Sequence, residues 1–285
     1  MPGPTTGVSV LIFLLAALSA ASCEASGGAP PPAGAKYVAM GSSYAAGPRI
    51  TQSADTPPTR CARSTDNYAH QIARRHGLVL SDVSCSGAVT ASLLSPWNGL
   101  PPQLDAVDAD TRLVTVTIGG NDVSYMAVLG AASCQTLKGA DDRKACPSVA
   151  DPDDQSFAAL ETNMRRIAAE VHQRAHGRAR LVFVDYPPVL PAHGVCPATP
   201  ISEDRADEAR AIAKRLAEVT ARVAKDSGAD LIAASQFSIG HDACGQEAWM
   251  NGYPRPGLPV EGAPYHPKLA AMTAIADALD QLIWR

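Results

Sequence analysis

The sequence predicts an α/β fold: a three-layer α/β/α sandwich around a parallel sheet of about five strands. Three observations predict it. Short β-rich runs alternate with longer stretches of helical periodicity, the pattern of successive parallel βαβ units. Two small blocks, Gly41-Ser42-Ser43-Tyr44 and Gly119-Gly120-Asn121-Asp122, each follow directly on an apolar run, where an open α/β sheet places its ligand crevice. A chain of 285 residues, 46% hydrophobic and 18% charged, can also bury one substantial core.

The elements follow in order. Val8 to Ala21 is an apolar stretch with small residues after it, shorter than the roughly 20 residues of a membrane span, so residues 1–23 read as a signal peptide. Residues 24–35, rich in Ala, Gly and Pro, cannot build a core and read as a flexible leader. Residues 36–285 form the one remaining domain. Its first strand is the run Tyr37–Met40. Asn67–His76 is a helix preceding the strand Leu78–Val83, and Leu113–Ile118 is the next strand, followed by a segment Asp122–Leu129 for which Asn121 is a ready N-cap. Gln155–Ala175 is amphipathic and leads into the strand Ala179–Val184; Glu203–Asp226 has long helical periodicity and leads into Asp230–Ala234. Pro267–Trp284 closes the chain, with Pro267 suited to a first helical turn. The connections Arg49–Asp66, Ala131–Pro152 and Pro187–Ser202 are long and read as irregular.

Composition excludes several functions. A formal charge of −4 without a basic run argues against a nucleic-acid partner, which needs clustered Lys and Arg. There is no His-Glu-x-x-His and no close Cys-x-x-Cys, so neither a metal nor another cofactor is expected. His70, His76, His172 and His176 fall in or near surface helices and are assigned no role; His193 and His241 lie in loops. Seven cysteines make an odd count. Cys23 stands apart, and the other six, Cys61, Cys85, Cys134, Cys146, Cys196 and Cys244, suit disulfides in an oxidising compartment, with 15 connectivities open to them.

The chemistry rests on Ser43 and His266. A hydroxyl is a poor nucleophile at neutral pH, so acyl transfer needs an imidazole to take its proton and donors to hold the oxyanion. Gly87, in Cys85-Ser86-Gly87, and Asn121 follow predicted strands and can supply those donors. Each residue alone is an ordinary turn or cap residue; their order and their positions after strands favour catalysis.

These blocks, closed by Tyr265-His266-Pro267, resemble the SGNH (GDSL-type) serine esterases and lipases, and more closely their secreted, disulfide-bonded actinobacterial branch. Arg63-Ser64, Asn67-Tyr68 and the run Asp82 to Ala88 extend the match, which covers Tyr37 to the C-terminus. The resemblance implies Ser43 as nucleophile and His266 as general base, with an oxyanion hole from the backbone N–H groups of Ser43 and Gly87 and the Asn121 amide. It implies the pairs Cys61–Cys85, Cys134–Cys146 and Cys196–Cys244. It further implies hydrolysis of carboxylic, above all lipid, esters by a monomer.

Two departures stand out. Ser42 occupies the position where the usual motif has Asp, which implies a local structural change that catalysis survives. Ala263, three residues before His266, stands where many members place a triad carboxylate. By the same resemblance the Ala263 backbone carbonyl orients His266, with Glu261 and Asp242 as rivals. Trp97, Leu100, Phe237, Trp249, Met250 and Tyr253 either line an acyl pocket or pack under loops. Cys23, in Ala20-Ala21-Ser22-Cys23, is either the lipidated residue of an imperfect lipobox, tethering the enzyme to a membrane, or part of an ordinary processed signal. The alternative functions are a carbohydrate or cell-wall deacetylase or acyltransferase, and a catalytically silent surface binding module.

Overall fold

The central apolar runs read from the sequence become strands because they are buried on both faces, as a parallel sheet covered by helices requires, whereas the edge strand at 79–82 is partly exposed. The computed structural model describes residues 1, 3, 29–139, 142–255, 257–258 and 262–285. Most of the expected signal peptide, with Cys23, and Glu261 lie outside the described residues. Five strands, β1 (Lys36–Gly41), β2 (Val79–Asp82), β3 (Thr111–Thr117), β4 (Arg180–Val184) and β5 (Asp230–Ile232), pair in parallel in the order β2-β1-β3-β4-β5.

Alternation along the strands sorts two cores. Val38, Met40, Val114, Val116 and Phe183 face one layer; it holds α3 (Thr90–Leu94), α4 (Tyr125–Leu137), α5 (Asp154–Arg174) and α6 (Glu203–Ser227). Tyr37, Ala39, Leu113, Val182 and Val184 face the other, under α2 (Tyr68–His76) and α8 (Leu269–Trp284). Two short helices, α1 (Ser43–Ala46) and α7 (Ala234–Phe237), follow β1 and β5 directly. The long helices start where side chains cap them: Asn67 accepts from the His70 N–H, Asp153 from Ser156 and Ser202 from Arg205.

This topology positions the crevice. From β1 the chain passes to β2 on one side and then to β3 on the other, so the connections leaving β1 and β3 diverge at their C-terminal ends. Ser43 follows β1 and Asn121 follows β3. The three disulfides, Cys61–Cys85, Cys134–Cys146 and Cys196–Cys244, tie the long connections down.

Three local expectations are corrected. The helix after Asn121 begins only at Tyr125, with Ser124 at its N-cap, because Asp122 is drawn away to accept from the Thr90 N–H and hydroxyl. Residues Ala131 to Leu137 belong to α4 rather than to a loop; Cys134 on that helix reaches Cys146. Pro267 does not open the last helix. The His266 carbonyl accepts from Asn251 N–H at 2.9 Å and the Lys268 N–H donates to Trp249 at 2.7 Å, so 266–268 stay extended alongside 249–251 and α8 starts at Leu269.

Candidate active site

Gly41 ends β1 at φ 137°, and a Cβ there would lie 2.2 Å from the Thr117 carbonyl oxygen, so only glycine lets β1 and β3 close this tightly. The turn is clamped on all sides. Gln103 accepts from the Gly41 N–H at 2.7 Å and donates to its carbonyl at 3.0 Å; the Ser42 N–H donates to Thr117 at 2.9 Å. Ser43 therefore enters α1 on a fixed backbone, 7% exposed at the floor of a cleft of about 420 Å³.

His266 reaches this floor from the other end of the chain. Its Nε2 is 2.8 Å from Ser43 Oγ and its Nδ1 is 2.7 Å from the Pro264 carbonyl oxygen. A carbonyl can only accept, so Nδ1 carries the proton and Nε2 is left to accept from the serine hydroxyl. Burial lowers the His266 pKa below its usual value, opposed by the Pro264 hydrogen bond, so the ring is neutral near pH 7.

The expected orienting group is thus corrected by one residue. The Ala263 carbonyl accepts from the His266 backbone N–H at 3.2 Å, closing a turn, and the ring Nδ1 instead meets the next carbonyl, that of Pro264. Asp242 accepts from the Cys244 N–H at 2.9 Å instead of turning toward the imidazole.

Around Ser43 the donors converge. Gly87, at φ 85°, follows the Cys61–Cys85 bridge, and neither its N–H nor that of Ser43 is bonded among the described residues. The Asn121 amide donates one hydrogen to the Ala88 carbonyl at 2.9 Å and has a second to offer. Ser43, Gly87, Asn121 and His266 all line the one cleft. Such a constellation can hold an ester carbonyl, move the serine proton to nitrogen and bind an oxyanion.

Several supporting residues carry no sequence signal of their own. Ser42 Oγ meets Tyr186 Oη at 3.1 Å, and Tyr186 Oη accepts from the Gly120 N–H at 3.0 Å, so this serine and phenol join the nucleophile turn to the Asn121 loop. Tyr44 stacks at an angle between Tyr186, 4.5 Å away, and His266, 5.2 Å away. None of the six apolar residues considered for an acyl pocket is among the residues lining this cleft. Trp97 lies under Arg60 beyond the Cys61–Cys85 bridge, Trp249 stacks on His241 at 3.9 Å, and Met250 is buried. The cleft walls are instead Pro48, Arg49, Ala62, Met126, Ala263 and Pro264.

The sequence profile of the GDSL-like lipase/acylhydrolase family matches residues 39–274. Lipase 2 of Streptomyces coelicolor is 35% identical over 218 residues, 73% of this chain and 72% of its own length. A lipase of Streptomyces rimosus is 30% identical over 258 residues, 90% of this chain and 89% of its own. Among solved structures, phospholipase A1 from Streptomyces albidoflavus aligns with a TM-score of 0.70 at 25% identity, covering 87% of this chain and 99% of that one. An extracellular lipase from Streptomyces rimosus aligns with a TM-score of 0.68 at 28% identity, with the same coverage.

Proposed function

The chain belongs to the GDSL-like lipase/acylhydrolase family and is a hydrolase of the lipase and esterase type, and from that premise we propose that it is a secreted serine esterase or lipase acting through an acyl-enzyme on Ser43. The observation that carries this reading is the 2.8 Å contact between Ser43 Oγ and His266 Nε2, with the Pro264 carbonyl at the opposite ring nitrogen. Ser43 attacks the ester carbonyl as His266 takes its proton. The Ser43 and Gly87 N–H groups and the free hydrogen of the Asn121 amide hold the oxyanion. His266 then protonates the leaving alcohol and activates water to release the acid.

The Pro264 carbonyl fixes the tautomer, as a triad carboxylate would, but offers the imidazolium a dipole in place of a full charge. In a serine protease the amide in place of that carboxylate costs about 10⁴ in kcat because the tautomer is wrong. Here the tautomer is right, so a dyad can work.

Lipid or simple carboxylic esters are the proposed substrates; the relatives named above are lipases and a phospholipase A1. Export by residues 1–23, a leader over 24–35 and a catalytic domain from 36 onward complete the proposal. Three disulfides suit an oxidising compartment. Cys23 as a lipid tether is the cell-envelope version, and a mature N-terminus downstream of Cys23 would exclude it.

The test is hydrolysis of p-nitrophenyl esters from acetate to palmitate by the oxidised protein and by Ser43→Ala. Activity abolished by the substitution is expected, and the chain-length optimum separates esterase from lipase. Equal rates from both proteins would remove Ser43 from the mechanism.

A further inference from the structure

Apart from His266, one ionisable side chain lines the cleft among the described residues: Arg49. Its guanidinium has no hydrogen bond or ion pair among those residues. Some arginines elsewhere hold carboxylates, as Arg63 does with Asp55 and Arg165 with Glu161; the cleft offers Arg49 no such partner among the described residues. The chain is acidic overall, at −4, so an unpaired cation at the mouth of this cleft is not one more charge on a basic surface.

The backbone keeps it there. Arg49 sits at φ 60°, a left-handed conformation that costs a residue with a Cβ roughly 1–2 kcal/mol. Its loop is closed on both sides: the Gly47 N–H donates to the Ser43 carbonyl at 2.9 Å, the Ser64 N–H to Ala46 at 2.9 Å and the Thr65 N–H to Gln52 at 3.0 Å. Non-glycine residues held in this region of φ cluster at ligand sites, where surrounding structure over-determines them.

We propose that Arg49 forms an anion subsite beside the scissile ester, selecting acyl esters whose alcohol portion carries a phosphate or a similar oxyanion. The inference rests on the Ser43 esterase reading and adds the substrate's alcohol to it. A guanidinium presents paired donors that match a phosphate bidentately. The acyl half of a lipid ester is hydrocarbon, so a charge close to the ester belongs to the alcohol. Of the remaining walls, Pro48, Ala62, Met126, Ala263 and Pro264 are apolar and Ser86 brings an uncharged hydroxyl, so none gives the anion a competing cation.

The test compares three monomeric substrates with one acyl chain: 1-octanoylglycerol 3-phosphate, 1-octanoylglycerol and p-nitrophenyl octanoate. Wild type should prefer the phosphate ester. Arg49→Gln should lower kcat/KM on that ester by about tenfold or more, mainly through KM, as loss of one charge-assisted contact does. It should leave the two uncharged substrates within about twofold, and Arg49→Lys should fall between. Equal losses on all three substrates would make Arg49 a general support of the oxyanion and overturn the subsite. Inhibition by inorganic phosphate without preference for the phosphate ester would assign it to a free anion and overturn the substrate class. Hydrolysis of p-nitrophenyl octanoate by wild type but not by Ser43→Ala separates these failures from failure of the esterase reading, which would take the subsite with it.

Discussion

The Tyr44 hydroxyl donates a 2.6 Å hydrogen bond to the backbone carbonyl of Tyr265, joining the residue after Ser43 to the residue before His266 across 221 positions of sequence. Tyr265 is held at φ 60°, and its own hydroxyl lies 2.6 Å from Ser133 Oγ on α4. His266 is thus tied to Ser43 through a phenol hydrogen bond between their neighbours as well as through packing.

Tyr44→Phe keeps the ring packing and removes that bond together with the weaker 3.3 Å contact of the same hydroxyl to Met126 Sδ. A net hydrogen bond is worth about 0.5–1.5 kcal/mol, so stability in urea should fall by about that amount. If the bond aligns His266, kcat should fall about tenfold with KM nearly constant, since misalignment acts on the reacting geometry and not on ground-state binding. A stability loss with unchanged kcat would restrict Tyr44 to a structural role.

Asn121 is the donor whose loss should be most visible. Removing one oxyanion donor costs about 10²–10³ in kcat. Asn121→Ala should show that loss with a modest change in KM, because the oxyanion exists only after attack. An equal loss confined to KM would make Asn121 a ground-state contact.

The pH profile follows from His266. Burial lowers its pKa, and in the proposed mechanism the neutral ring is the base. kcat/KM should therefore be flat through pH 7 and fall on the acid side with a midpoint below the ordinary histidine value of about 6.5. For stability the sign is the same. The unfolded chain takes up this proton before the folded one does, so His266's contribution is complete above the unfolded pKa and is lost as pH falls through the folded one. Asp242→Asn, and Glu261→Gln, should leave the midpoint and most of the activity in place. A collapse with either would return a carboxylate to the imidazole.

Much of this was legible because it depends on local chemistry. The strands were visible as apolar runs, the positions of Ser43 and Asn121 after them follow from parallel topology, and the implied cysteine pairs are those that form. What was hidden depends on long-range closure. Which carbonyl meets the imidazole depends on how the turn from Ala263 to His266 closes, and the sequence Gly262-Ala263-Pro264 does not encode that choice by residue type. Gln103 clamps Gly41 from 62 positions away. Pro267 misled because its local preference for a first helical turn lost to backbone pairing with 249–251. The aromatic residues were conspicuous by size, but the cleft is walled by other residues, brought together from several connections and from α4.

The disulfide beside the oxyanion loop offers a separate prediction. Cys61–Cys85 closes 24 residues two positions before Gly87, and the Ser86 N–H also donates to the Cys61 carbonyl at 3.1 Å. Replacing both cysteines by Ser should cost stability in the range of about 2–5 kcal/mol typical of a native bridge, and should lower kcat more than loss of Cys134–Cys146, which lies away from the cleft. Equal kinetic effects would mean that the bridges act on global stability alone.

Ser42 and Tyr186 form a further link between the Ser43 turn and the Asn121 loop. Burial pushes the Tyr186 phenol up to about 12, so it stays protonated and can accept from Gly120 while meeting Ser42. Tyr186→Phe would leave the Gly120 N–H without its acceptor, one residue before Asn121, and should destabilise the fold by about 1–3 kcal/mol. Ser42→Ala should cost less, because it leaves the Gly120 bond in place. In the double mutant the effects should fall short of additivity by at least about 0.5 kcal/mol, the mark of groups acting through one network. The kinetic counterpart is a fall in kcat for Tyr186→Phe that is largely absent when Asn121 is already Ala, since a phenol that works by holding the Asn121 loop has nothing left to position. Full additivity of the two kinetic losses would detach Tyr186 from the oxyanion hole and leave it as packing for Tyr44.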